Sequence, residues 1–122
     1  MNHGVLLIII AVTAIWVVSK SLTRASSDKI HEFMRRGALV IDVRTAAEYE
    51  AGHLNSAINI PLDQLKSRIR EIEPDPNRPI LLHCESGARS EAAVQILRKM
   101  GYQHVLNVGS FARARSMLEP SR

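Results

Sequence analysis

The 122-residue chain holds a single cysteine, Cys84. One thiol excludes an internal disulfide framework and any zinc site built from cysteine pairs. The chain also lacks a massed block of one charge. Its net charge of +4 is spread along the sequence, which argues against nucleic acid as a partner. There is no internal repeat and no low-complexity tract, and with 46% apolar residues the chain is too hydrophobic to remain disordered. Its length allows about one domain beyond the N-terminal stretch.

Charge is missing altogether before Lys20. Val5 to Val18 is a run of 14 residues, apolar except for Thr13. A helix apolar all round has no wet face, so this is not the pattern of an ordinary surface helix. The run is short against the ~20 residues of a usual membrane span. A signal peptide would have the right length, but Met1-Asn2-His3-Gly4 lacks the basic side chains of an n-region. Lys20, Arg24 and Lys29 lie on the other flank, and Trp16 stands one turn before them. The expectation is therefore a retained transmembrane anchor over 1–19 that contacts a lipid bilayer through residues 4–19. The domain then lies on the cytoplasmic side of the cell's inner membrane. A periplasmic domain released by cleavage, at Ser19-Lys20-Ser21 or Thr23-Arg24-Ala25, is the alternative.

Residues 20–27 read as a short polar tether and 28–122 as the domain. Ser26, Ser27 and Asp28 supply a cap and an acidic first turn, Ile30, Phe33 and Met34 form one apolar stripe, and Gly37 stops the helix. Ala38 to Asp42 is a continuous apolar run too short for a helix, the pattern of a buried parallel strand. Thr45-x-x-Glu48 forms a capping box for a short helix that Gly52 closes. Ala57 to Ile60 is a second strand, and Pro61 opens a helix with Leu62, Leu65, Ile69 and Ile72 at helical spacing. Glu73 to Pro79, with three prolines in seven residues, is a turn. Ile80 to His83 is a third strand, followed by a helix from about Ser90, a strand at Val105 and Leu106, and a last helix from Phe111 to Leu118. Strands alternating with helices predict an α/β fold. Its sheet is doubly wound and mostly parallel, with helices on both faces, and one hydrophobic helix precedes it. In such folds ligands bind beyond the C-terminal ends of the strands. That rule selects Asp42-Val43-Arg44 and the segment starting at His83-Cys84.

Cys84 ends an apolar strand and is followed by Glu85-Ser86-Gly87-Ala88-Arg89 and then Ser90. A tight strand-to-helix loop turns its N–H groups inward around an anion-sized hollow. Gly87 lets backbone come close. A thiol in that field, beside Arg89, is expected to ionise below its usual range. Such a thiolate would attack an anionic substrate and pass through an intermediate on sulfur. A lone cysteine on a strand is more often core filler, but five polar, small or charged residues after Cys84 mark a loop.

Cys84-Glu-Ser-Gly-Ala-Arg89-Ser90 resembles the Cys-x-x-Gly-x-Arg-Ser loop of single-domain rhodanese sulfurtransferases. Asp42-Val-Arg44, Glu48-Tyr49, Gly52-His53-Leu54, Ala57-Ile-Asn-Ile-Pro61 and Gly101-Tyr-x-x-Val105 are similar to further motifs of that family, in the same order. The resemblance implies a rhodanese-like fold in which Cys84 is the catalytic nucleophile. It takes a sulfane sulfur from a small anion such as thiosulfate and passes it to cyanide or a thiol acceptor. It implies no metal and no cofactor. Glu85, Ser86, Gly87, Ala88 and Arg89 would then bind the donor and the persulfide, while Asp42, Arg44, His53 and Ser90 form the framework. A membrane-tethered sulfur carrier or redox sensor with little turnover is the alternative. The loop is one residue shorter than the His-Cys-x5-Arg loop of tyrosine phosphatases, which speaks against phosphate as substrate. Glu85 departs from what an anionic donor favours, and is expected to weaken thiosulfate binding or to turn its side chain to solvent. Asn55-Ser56 replaces a Pro-Gly pair of the family and Gly109-Ser110 a Gly-Gly pair, and Arg113 and Arg115 read as solvated helix charges.

Overall fold

The computed structural model describes residues 2–22 and 24–120, with side-chain surroundings for 2–15 and 24–120. Helix α1 runs His3–Leu22. Among the described residues, no helix is long and apolar enough to cross a membrane. The expected transmembrane anchor thus finds no support in the structure. The physical shortfall is length, since the run Val5 to Val18 rises about 21 Å as a helix against a hydrocarbon core of about 30 Å. The side chains of Trp16 and Lys20 lie outside the described residues. Large apolar side chains earlier in α1, Leu6 to Ile10 among them, stand exposed.

The remaining elements are α2 (Ser27–Arg35), β1 (Leu39–Asp42), α3 (Ala46–Ala51), β2 (Ala57–Asn59) and α4 (Leu62–Ile72), then β3 (Ile80–His83), α5 (Ala88–Lys99), β4 (Val105–Gly109) and α6 (Phe111–Leu118). All strand pairs are parallel, in the order β2-β1-β3-β4. Because successive side chains of a strand point to opposite faces, each inner strand feeds two cores. Ile41, Ile80 and Leu82 join α4 and α5 through Leu65, Ile69, Ala93 and Leu97. Val40 and Leu81 join α2 and α6 through Ile30, Phe33 and Ala114. Both faces of the sheet are covered, which is why these strands are continuously apolar.

Local chemistry explains most boundaries. Ser26 caps α2 by accepting from the Lys29 N–H, and Ser110 caps α6 by accepting from the Arg113 N–H. Both halves of the Thr45–Glu48 capping box are formed. Several boundaries differ from expectation, and β1 begins at Leu39 instead of Ala38. Helix α5 begins at Ala88, two residues before Ser90, because Gly87 at φ +102° turns the chain directly into it. Strand β2 ends at Asn59, and β4 extends to Gly109.

Chain order turns outward in both directions from the gap between β1 and β3, with β2 beyond one and β4 beyond the other. That is the topological switch point, where strand-end loops diverge and leave room for a ligand. Asp42 pairs with His83 across it. On the far side of β3 the register slips, since Leu82 pairs with Asn107 but His83 pairs with Gly109. Such a slip re-aims the end of a strand. Here it leaves the Gly109 carbonyl to accept from the Cys84 N–H at 3.1 Å, tying the start of the Cys84 loop to β4.

Candidate active site

Cys84 follows β3 directly and is completely buried. Burial alone would fit core filler, but the loop polar groups are aimed at its sulfur. The Gly87 N–H donates to Sγ at 3.0 Å and the Ser90 N–H at 3.4 Å, with the Ser90 hydroxyl also at 3.4 Å. Gly87 makes this ring compact. A Cβ there would stand 3.4 Å from Gly109 Cα, besides being strained at φ +102°. Burial pushes the Cys84 thiol up. The hydrogen bonds from the Ser90 hydroxyl and from the Ser90, Gly87 and Ser86 amides outweigh it, and the thiol ionises below its ordinary value.

Arg89, in the first turn of α5, forms a two-pronged pair with Glu48 of α3, at 2.6 and 2.9 Å. The fork-on-carboxylate geometry fixes the guanidinium in orientation as well as position. Glu48 is driven down to about 2, first by Arg89 and then by the Thr45 N–H. Arg89 is held above its ordinary value, first by the Glu48 hydrogen bond and in smaller part by Cys84. Arg44 is more deeply engaged. Its Nε donates to both Asp42 oxygens at 3.0 Å, and its Nη2 donates to Asp42 at 2.8 Å and to the Gly52 carbonyl at 2.7 Å. Its remaining arm reaches Glu85 Oε2 at 3.4 Å, and the guanidinium lies 4.4 Å over the Phe111 ring.

The Glu85 side chain is 60% exposed and keeps its contact with Arg44. Ser86 bridges to Ser110, which docks the loop tip beside α6. Ala88 opens α5. His53 is exposed, stacked on Tyr49 with centroids 3.8 Å apart, and its Nδ1 lies 2.8 Å from the Tyr49 carbonyl. His83 points away from the sulfur towards Phe111, as neighbouring strand positions must. Burial keeps it neutral to lower pH than an ordinary histidine, despite Asp42 3.8 Å from its Nε2.

Residues 26–113 match the family described as "Rhodanese-like domain". The chain belongs to the rhodanese family. It is 45% identical over 69 residues, 57% of this chain, to the thiosulfate sulfurtransferase PspE of Escherichia coli, and that stretch is 66% of PspE's own length. Uncharacterized protein YqhL of Bacillus subtilis is 38% identical over 119 residues, 93% of each chain. Among solved structures, the human single-domain sulfurtransferase TSTD1 superposes with a TM-score of 0.63 at 25% identity, covering 82% of this chain and 98% of that one. These rhodanese relatives support a rhodanese-type sulfurtransferase, with a sulfur donor and a thiol acceptor in general terms.

Two residues at the rhodanese loop escape sequence reasoning. Glu48 reads as the far end of a capping box, and it is that, but it also holds Arg89 from 41 positions away. Local spacing carries no signal of such a pairing. Asn107 sits behind Ser90, its Oδ1 accepting from the Ser90 hydroxyl at 2.7 Å. A signal existed there, since Asn107 interrupts the apolar run Val105 to Val108 and a polar side chain in a buried strand needs a partner.

Proposed function

We propose that the protein moves a sulfane sulfur through a persulfide on Cys84. The observation that carries this reading is the convergence of the Gly87 and Ser90 N–H groups on Sγ. Oriented dipoles at a helix N-terminus stabilise a thiolate without a neighbouring base. With thiosulfate as donor, the thiolate forms a bond to the outer sulfur as the sulfur–sulfur bond of thiosulfate breaks. Sulfite leaves with the bonding pair, and the charge comes to rest on the outer persulfide sulfur. Cyanide or a thiolate then takes that sulfur and returns Cys84 to its starting state. Amides of the loop from Glu85 to Arg89 hold donor and persulfide. Since Cys84 is fully buried, contact with Sγ requires this loop to yield. Thiocyanate formation from thiosulfate and cyanide tests the reading. The protein should turn over and Cys84→Ser should not, whereas equal activity in both would overturn it.

Charge supports a donor less anionic than thiosulfate. Arg44 and Arg89 face three carboxylates, those of Asp42, Glu85 and Glu48, and the thiolate adds a fourth negative charge. A dianion entering this field gains little, whereas a persulfide of low charge is not repelled. The buried sulfur also favours the second reading, a carrier that holds sulfur and turns over slowly.

For location, the proposal rests on α1. Its exposed apolar side chains from Val5 to Ile15 favour attachment to a bilayer, with Lys20, Arg24 and Lys29 keeping the domain on the cytoplasmic side of the inner membrane. Release into the periplasm after cleavage is the alternative. Retention in the membrane pellet at alkaline pH, with the N-terminus intact by mass, would support attachment. A cleaved, freely extracted protein would refute it.

A further inference from the structure

Ser90 is surrounded by acceptors. Its hydroxyl oxygen lies 2.7 Å from Asn107 Oδ1, 3.1 Å from the Gly87 carbonyl and 3.4 Å from Cys84 Sγ. A hydroxyl has one proton to give, so these three compete for it, and Asn107 is the nearest. The Asn107 amide cannot turn over to relieve the competition. Its Nδ2 donates to the Gly87 carbonyl at 3.1 Å and to Glu91 Oε2 at 3.3 Å, and both of those partners only accept. Oδ1 is thereby fixed towards Ser90. Asn107 is 4% exposed and Ser90 fully buried, so the competition runs with little water to settle it.

We propose that Asn107 is a positioning residue that draws the Ser90 hydroxyl proton away from Cys84 Sγ and so limits how far the sulfur is stabilised as a thiolate. The more the proton lies with Asn107, the less the hydroxyl donates to Sγ and the more its oxygen is open to accept from it. That arrangement suits a neutral thiol, which can donate to it. A persulfide, whose charge has moved to the outer sulfur, has less need of that proton. The free thiolate then draws less from the hydroxyl and more from the Gly87 and Ser90 amides. A thiolate held less tightly is the stronger nucleophile, because nucleophilicity falls as thiol pKa falls, with a Brønsted coefficient of about 0.4–0.5. The effect on sulfur transfer rests on the reading of Cys84 as the nucleophile, while the effect on ionisation rests on geometry alone.

The charged groups around Cys84 are Arg89 with Glu48, Arg44 with Asp42 and Glu85, neutral His83 at the end of β3, and Glu91 behind Asn107. Substituting Asn107 alters the surroundings of Glu91, to which its amide donates, and of Arg24 and Arg98, which line the same hollow. A freed Glu91 carboxylate would disfavour the thiolate, opposite in sign to the effect proposed.

The test is the ultraviolet titration of the Cys84 thiolate in the full chain, for Asn107→Ala and Asn107→Leu, each also combined with Ser90→Ala. The proposal expects the midpoint to fall in both single variants, by no more than about one pH unit because the Gly87 carbonyl at 3.1 Å still competes for the proton. It expects no difference between Ser90→Ala and the double variants, since no hydroxyl proton is left to redirect. With all Cys84 ionised, persulfide formation should slow about threefold for each unit of that fall. An unchanged or raised midpoint in whichever variant keeps the wild-type circular dichroism overturns the proposal, as does a fall that persists without the Ser90 hydroxyl. A lowered midpoint in a protein that transfers no sulfur would uphold the proton competition and refute the proposed function, so the two fail separately.

Discussion

At the residue scale, the loop is a contest between one thiolate and the carboxylates that neutralise its arginines. Glu85 is the member most open to solvent, with its side chain 60% exposed. Glu85→Gln removes one negative charge and frees an arm of Arg44 while leaving the Asp42 pair in place. It is expected to lower KM for thiosulfate severalfold and to change KM for a neutral persulfide donor little. The ratio of kcat/KM for the two donors checks this. Glu48 carries a pH signature. Its carboxyl titrates at about 2 in the folded protein against an ordinary 4.5. The unfolded chain therefore binds the proton first as pH falls, so the stabilisation is fully present above 4.5 and is lost on the way down to about 2. Urea midpoints of wild type and Glu48→Gln should differ near neutrality and converge across that window. The difference should be small, on the order of 1 kcal/mol or less, because the pair is one-third exposed.

At the element scale, the β3–α5 turn depends on Gly87. Its φ of +102° lies in the left-handed region, and a Cβ there would come into contact with Gly109 Cα at 3.4 Å. Gly87→Ala is expected to destabilise the fold by about 1–2 kcal/mol. It should also raise the Cys84 titration midpoint, because the Gly87 N–H is the shortest donor to Sγ. Thiolate absorbance against pH, together with urea unfolding, reads both effects. Elements with local causes were legible in the sequence. The capping box at Thr45, the cap at Ser26, the helix from Phe111 to Leu118 and the loop after Cys84 are written in neighbouring residues. The start of α5 was not, because the left-handed turn at Gly87 leads straight into the helix and makes that glycine, not Ser90, the cap position. The pairing of Glu48 with Arg89 was invisible for a like reason, and for Asn107 the sequence signals a buried polar side chain but not that Ser90 is its partner. The chain brings them together only through the sheet order, with β1 and β4 flanking β3.

At the scale of the whole molecule, two cores on one parallel sheet support the strand ends from which the Cys84 loop departs. Leu82, at 0% exposure, packs between β3 and the α4–α5 layer, whereas Leu7 of α1 is 66% exposed. Leu82→Ala should cost about 2–5 kcal/mol in denaturant unfolding, and Leu7→Ala no more than about 0.5 kcal/mol. Comparable losses would mean that α1 is part of the folded core. The sheet and its switch point were legible because alternating apolar strands and amphipathic helices leave few topologies open. The reach of α1 across a bilayer was not, because 14 apolar residues fall between a span and a surface helix. The account stands on sulfur residing on Cys84, and the intact mass of the full chain after brief exposure to a sulfane donor tests it most directly. The mass should rise by one sulfur atom, return to its starting value with cyanide, and stay fixed in Cys84→Ser. A wild-type protein that gains no sulfur, or a serine variant that gains as much, would contradict it.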